Sequence, residues 1–307
     1  MLIYLPIAEI SVNPLILLAM GAGVGYLSGL LGVGGGFLMT PLLIFIDIPP
    51  AVAVGTQSNQ LVGASVAGVL GHWRRGNVDV RMGLVMLAGG SVGTFLGVRL
   101  FGLLRELGQI DLVISLAYIV VLGAVGGMMF VESLRSILRR RGGGAQARTR
   151  MHHAPWARVM PLKMRFPKSR LYISALLPLG LGFIIGLLVA MLGIGGGFML
   201  VPAMIYLLGM PASVVAGTSL FQIIFTTAIA TFFQALENQT VDVVLALVLL
   251  VGAVLGAQLG ARAAGIIRGE QSRMILAVLV LSVAGKLLFD LVIPPSDPFA
   301  VVLAGAP

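Results

Sequence analysis

The sequence predicts an all-α integral membrane protein made of two inverted-topology repeats. Each repeat is expected to hold about four long transmembrane helices and one short broken or re-entrant helix behind a glycine cluster. Three observations carry this prediction: the apolar composition, a doubled glycine-rich segment, and the uneven placement of Lys and Arg. Of 307 residues, 58% are hydrophobic and 10% are charged, whereas a soluble domain is about a quarter charged. A water-soluble fold of this length has no interior large enough for so much apolar side chain.

Apolar runs recur at 14–31, 51–71, 82–98, 112–131, 172–192, 212–236, 243–259 and 274–293, each near the ~20 residues a helix needs to cross about 30 Å of hydrocarbon. Two shorter runs, 37–46 and 198–208, follow the glycine clusters and read as half-helices or re-entrant segments. Before Arg74 there is no Lys or Arg, so the first helix lacks the basic flank of a cleaved signal and is expected to be retained.

The chain repeats itself. Leu31-Gly-Val-Gly-Gly-Gly-Phe37 with Pro41 matches Leu192-Gly-Ile-Gly-Gly-Gly-Phe198 with Pro202 at identical spacing. Val54-Gly-Thr-Gln-Ser58 answers Ala216-Gly-Thr-Ser-Leu220, and Gln60 answers Gln222. Asp79 answers Asp242, the Gly89, Gly93, Gly97 ladder answers Gly252, Gly256, Gly260, and Arg99 answers Arg262. The domains read as a first repeat (1–131), a basic linker (132–170), and a second repeat with a C-terminal tail (171–307).

Lys and Arg collect in cytoplasmic loops and thereby set orientation. The linker holds 11 of the 20 basic residues against one acid, so it belongs in the cytoplasm. The connection 71–77 carries Arg74 and Arg75, whereas its counterpart 235–240 carries Glu237, which assigns them to opposite faces. Equivalent loops on opposite faces need an odd number of crossings per repeat, so the short segment after each glycine cluster must supply the fifth. Both termini then lie outside a cell (inner) membrane crossed many times, and the tail 294–307 indeed has no Lys or Arg. Inverted repeats with interrupted helices are the architecture of many secondary transporters.

A triple glycine in apolar sequence interrupts a helix, and in hydrocarbon such a break survives only where protein or a wet cavity satisfies the backbone. Gly34, Gly35 and Gly36, with Gly195, Gly196 and Gly197, therefore belong inside. Two readings stay open: close helix packing, or an anion site where each short helix starts, built from free amides and the positive helix end. The polar run Thr56, Gln57, Ser58, Asn59 and Gln60, with Thr218, Ser219 and Gln222, cannot all face lipid; it caps and cross-links helices or lines that site with neutral donors. The four-residue glycine ladders are packing residues. Lys286 and Asp290 are spaced to neutralise each other. Arg99 and Arg262 lie where snorkelling reaches the headgroups, and Asp79 and Asp242 are placed as helix N-caps. No acid in the spans stands out as a proton carrier, so a coupling ion such as H+ or Na+ is not readable.

Other chemistries find no support. Cysteine is absent, removing disulfides and thiolates. His72, His152 and His153 fall in expected loops without metal-ligand spacing, neither glycine cluster continues as a P-loop, and no nucleophile pairs with a base. No enzyme activity, cofactor or metal is expected. Basic charge interleaved with Trp156 and Phe166 in the linker is explained by topology and by contact with anionic membrane lipid, without nucleic acid.

The doubled Leu-Gly-x-Gly-Gly-Gly-Phe-x-x-x-Pro, each copy trailed by Gly-Thr and a polar helix start, resembles the TauE/SafE-type sulfite exporter family, also called the toluene sulfonate uptake permeases. The resemblance covers both halves. It implies a secondary transporter, exporter or permease, for a small anionic substrate such as sulfite, thiosulfate or an organosulfonate. The anion would be held between Gly34–Gly36 and Gly195–Gly197, with Thr56, Ser58, Gln60, Thr218, Ser219 and Gln222 nearby. Leu220 and Phe221 replace the Ser58 and Asn59 of the first half, so the site is expected to be asymmetric. A passive anion channel and a membrane partner that recruits a cytoplasmic protein are the alternatives.

Overall fold

A computed structural model describes residues 2–31, 35–141, 161–263 and 269–292. The expectations for Gly34, linker residues 142–160 with His152, His153 and Trp156, and the tail 294–307 lie outside the described residues. The described residues form ten α-helices in two runs of five, each run opened by a two-stranded antiparallel hairpin. The first run is β1 (Ile3–Leu5), β2 (Ile10–Val12), α1 (Pro14–Leu31), α2 (Gly36–Ile44), α3 (Pro50–Arg74), α4 (Val80–Glu106) and α5 (Ile110–Arg141). The second is β3 (Lys163–Phe166), β4 (Leu171–Ser174), α6 (Leu176–Leu192), α7 (Gly197–Tyr206), α8 (Ala212–Phe233), α9 (Val243–Ala263) and α10 (Gly269–Val292), with a π-helical turn, Gln234–Asn238, extending α8.

Five described helices are long and apolar enough to cross a bilayer: Val80–Glu106, Ile110–Arg135, Val214–Asn238, Val243–Gly260 and Met274–Val292. That is fewer than the eight long spans expected, for two physical reasons. At 18 and 17 residues, α1 and α6 reach only about 27 and 25 Å. At 25 residues α3 is long enough, but its polar run lowers its hydropathy, and that run is turned inward: Thr56, Gln57, Ser58 and Gln60 are all buried. On the outer helices large apolar side chains such as Leu84, Val120, Leu247 and Leu255 are exposed, as lipid requires.

Three boundaries differ from the sequence reading. Tyr172 lies in β4 and not in a span, because α6 begins at Leu176. The stretch expected as linker is partly regular, since α5 runs on to Arg141 and β3 starts at Lys163. His72 sits in the last turn of α3 rather than in a loop.

The two runs interlock. Along the seam between α4 and α6, a Cβ at Gly89, Gly93 or Gly97 would strike the backbone of Leu179, Phe183 or Leu187. Along the seam between α9 and α1, a Cβ at Gly252, Gly256 or Gly260 would strike Leu18, Ala22 or Tyr26. The ladders are thus backbone-to-backbone contacts, and the ascending numbers on both sides make each pair parallel. Crossing the seam between α3 and α8, Gly55 near the start of α3 abuts Thr240 beyond the end of α8, and Gly217 near the start of α8 abuts Asn77 beyond the end of α3. These two central helices are therefore antiparallel. Thr56 meets the start of α9 at Asp242, and Gly63 meets Leu250 deeper in it, so α3 runs with α9 and hence with α1. The chain must cross back between α1 and α3, a return that α2 and its flanks provide; α7 does the same between α6 and α8.

Charged side chains close the ends. Asp79 and Asp242 cap α4 and α9, accepting from Met82 N at 3.1 Å and Leu245 N at 3.0 Å. Lys286 pairs with Asp290 at 2.7 Å, and its ammonium also lies 4.2 Å from the centre of the Phe45 ring. Arg99, expected to reach the headgroups, pairs with Glu237 of the π-helical turn at 3.2 Å, while Arg105 donates to the Asn238 carbonyl. Arg262 is exposed near the end of α9.

Candidate functional site

The two short helices begin beside each other. The Phe37 and Phe198 rings stack at 4.3 Å with 19° between planes. A Cβ at Gly36 would lie 2.7 Å from the Ile194 carbonyl oxygen in the other cluster. Leu61 of α3 wedges between the clusters, its Cδ1 lying 2.7 Å from that Gly36 position and 2.5 Å from a Cβ at Gly195. Gly195 and Gly196 have φ of +71° and +72°, a left-handed conformation that costs other residues about 1–2 kcal/mol. Gly35 packs on Val24 and Ser28 of α1, Gly196 on Ile185 and Val189 of α6, and Gly197 is the first residue of α7. No side chain caps α2 or α7, so their leading amides lack intrahelical acceptors and add the positive end of each helix to the centre. Gly34 lies outside the described residues.

The polar residues divide by what they already bond. Ser58 and Ser219 donate back to their own helices, at Val54 O (3.2 Å) and Ala216 O (3.0 Å). Thr56 Oγ1 accepts from Asp242 N at 3.0 Å, and Thr218 Oγ1 accepts from Asp79 N at 2.9 Å. For these two threonines the cross-linking reading fits the geometry. The glutamines differ. Gln60 donates from Nε2 to Leu249 O of α9 at 3.4 Å, leaving its Oε1 unpartnered; Gln57 Oε1 is unpartnered too.

Gln222 is fully buried and, among the described residues, has no partner at either end of its amide. It fits against α4 because position 90 is glycine, where a Cβ would be 3.0 Å from Gln222 Nε2 and 3.5 Å from Gly182 O of α6. Gly196 packs on Ile185 and Val189 of that same helix, on the turns that follow Gly182. An unpartnered buried amide costs about 1–3 kcal/mol, so Gln222 keeps hydrogen-bonding capacity that Thr56, Ser58, Thr218 and Ser219 have spent. Gln60 and Gln222 answer each other in the repeat but are not equivalent: Gln222 keeps both donor and acceptor free among the described residues, whereas Gln60 Nε2 is already bonded to Leu249 O. This is an asymmetry of bonding, beyond the Leu220 and Phe221 substitutions that signalled it.

Residues 17–287 match the family described as Sulfite exporter TauE/SafE. The chain belongs to that family. It is 27% identical over 284 residues to the probable membrane transporter protein YunE of Bacillus subtilis (strain 168), covering 90% of this chain and 97% of that one. It is 28% identical over 275 residues to the probable membrane transporter protein YjnA of the same organism, covering 89% and 98%. A shorter match, 28% over 119 residues, covers 38% of this chain and 25% of the Sulfite exporter TauE/SafE family protein 3 of Arabidopsis thaliana. No solved structure matches. As a TauE/SafE member the chain is a membrane transporter and not an enzyme.

The sequence reading missed both hairpins. A signal was available: Pro6 and Pro167 are separated by the same 161 residues as Gly34 and Gly195, and each proline opens the turn of its hairpin.

Proposed function

We propose that this protein is a secondary transporter for a small sulfur oxyanion, namely sulfite, thiosulfate or an organosulfonate. The anion is bound where α2 and α7 begin, by backbone amides of Gly34–Gly36 and Gly195–Gly197 and by the amide of Gln222, with Gln60 on the other side. The carrying observation is Gln222: a neutral donor, wholly buried, packed against Gly90 of α4, with no partner among the described residues. Neutral donors and helix dipoles suit an anion that must leave again, since they stabilise charge without the strong pairing of a buried Arg.

The repeats are inverted across a cell membrane. Antiparallel α3 and α8 support this, because equivalent helices that both span in opposite directions put their loops on opposite faces. Lys168 at the tip of the second hairpin donates to Gly76 O at 3.0 Å, which joins the Arg74 loop to the hairpin that follows the basic linker; both belong to the cytoplasmic face. The first hairpin bonds through Ile7 to Asp242, next to the Glu237 turn, and belongs to the outer face with both termini.

The test is uptake of radiolabelled sulfite, thiosulfate and organosulfonates into proteoliposomes, with and without H+ or Na+ gradients. At least one anion should enter faster than into protein-free vesicles and be slowed by the others. No movement of any of them rejects the proposal, and flux insensitive to every gradient and to competitors supports a passive channel instead.

A further inference from the structure

Helix capping uses one oxygen of Asp79 and of Asp242. The other oxygen of each holds a hairpin turn from the opposite half of the chain. Asp79 Oδ2 accepts from Ser169 N at 2.9 Å and Ser169 Oγ at 2.6 Å, and Asp242 Oδ2 accepts from Ile7 N at 3.0 Å. The backbone amides of the same two aspartates donate to Thr218 and Thr56. Each aspartate thus joins three elements: a long helix start (α4 or α9), a central helix start (α8 or α3), and a hairpin. Gly217 and Gly55, directly before the threonines, admit the neighbouring turn, since a Cβ at Gly217 would sit 2.9 Å from His72 Cβ and one at Gly55 2.5 Å from Thr240 Oγ1. Both aspartates and both threonines are buried.

We propose that these two clasps are the gates of the transport path, each closing one face above its own glutamine. Thr218 and Gln222 are four residues apart and share a face of α8, about 6 Å along the axis. Thr218 bonds the start of α4, and Gln222 lies deeper in the same α4–α8 seam against Gly90. Thr56 and Gln60 repeat the arrangement in the α3–α9 seam, bonded to Asp242 N and Leu249 O. Releasing a clasp frees the start of its central helix and opens the seam to one face, while the other clasp stays shut. The clasps are unequal. Ser169 gives two bonds where the matching Ala8 has no hydroxyl to give, and Lys168 adds a bond to Gly76 O. The gate at Asp79 therefore opens less readily than the gate at Asp242. Asp79, Asp242, Thr56, Thr218 and Ser169 are positioning residues that act on access, not on the anion.

This rests on the proposed inversion of the two halves, and the experiment separates the two claims. The chain contains no cysteine, so introduced thiols are unique reporters for a membrane-impermeant maleimide applied from either side. K168C and Y4C, at exposed hairpin positions, should label from opposite faces; labelling from the same face rejects the inversion. Given opposite labelling, S169A and T218V should each raise labelling of Q222C from the Lys168 face about fivefold, the shift expected from deleting one buried hydrogen bond. T56V should raise labelling of Q60C from the Tyr4 face and leave Q222C unchanged. S169A, which leaves the cap and the threonine in place, guards against a misfolded T218V. Unchanged labelling, or a rise at both reporters from both faces, overturns the gates.

Discussion

At the scale of single residues, the functional reading narrows from a run of polar side chains to one amide. Thr56, Thr218, Ser58 and Ser219 all have partners within the protein, whereas Gln222 has none among the described residues. Replacing an unpartnered buried amide by an apolar group of similar shape is neutral or stabilising for folding. Gln222→Leu should therefore keep or raise the melting temperature in detergent. Its anion flux should fall roughly tenfold or more, since a hydrogen bond to a charged group is worth about 1.5–3 kcal/mol. Gln60→Leu should cost less flux, because the Gln60 Nε2 is already bonded to Leu249 O. Equal losses in both variants, measured as initial uptake rates, would show that the two halves bind alike. The sequence revealed that these residues are interior, since five adjacent polar residues cannot face lipid. It did not reveal which are spent, because that depends on partners 139 to 189 positions away.

Between elements, glycine does two different jobs that look alike in sequence. In the ladders it lets backbones touch, and a four-residue repeat on an unbroken helix made that legible. Gly93→Leu should destabilise the protein by about 1–3 kcal/mol or more, since its side chain would displace the Phe183 backbone. Gly123→Ala on α5, where an added Cβ meets nothing within 4 Å, should be neutral or mildly stabilising; thermal unfolding of the two variants side by side checks the contrast. In the clusters, glycine supplies positive φ at Gly195 and Gly196 and lets α2 and α7 start against each other. Gly196→Leu would meet both backbone strain and Ile185, at 2.6 Å from its Cβ, so loss of transport in that variant tests folding as much as binding. The hairpins escaped notice because three- and four-residue strands carry too little alternation to register.

For the molecule as a whole, composition was enough to place the chain in a membrane, and loop charge led to the expectation of a short returning segment in each half. The parallel α1–α9 and α4–α6 pairs and the antiparallel α3–α8 pair need that same return. What sequence could not supply was the crosswise packing, in which the first helix of each run lies on the fourth helix of the other. Residues 142–160 are part of the basic linker between the two halves in sequence and lie outside the described residues. Exchanging them for a Gly/Ser spacer of equal length should leave anion flux near the parent level in proteoliposomes; its abolition would favour a role in recruiting a cytoplasmic partner. The central claim is that the protein carries a sulfur oxyanion through a binding site, and counterflow tests it most directly. Proteoliposomes preloaded with unlabelled sulfite, thiosulfate or an organosulfonate and diluted into trace label of the same anion should accumulate that label transiently above equilibrium, and Gln222→Leu should abolish the overshoot. Simple equilibration without overshoot, or no movement beyond protein-free vesicles for any of the anions, would contradict it.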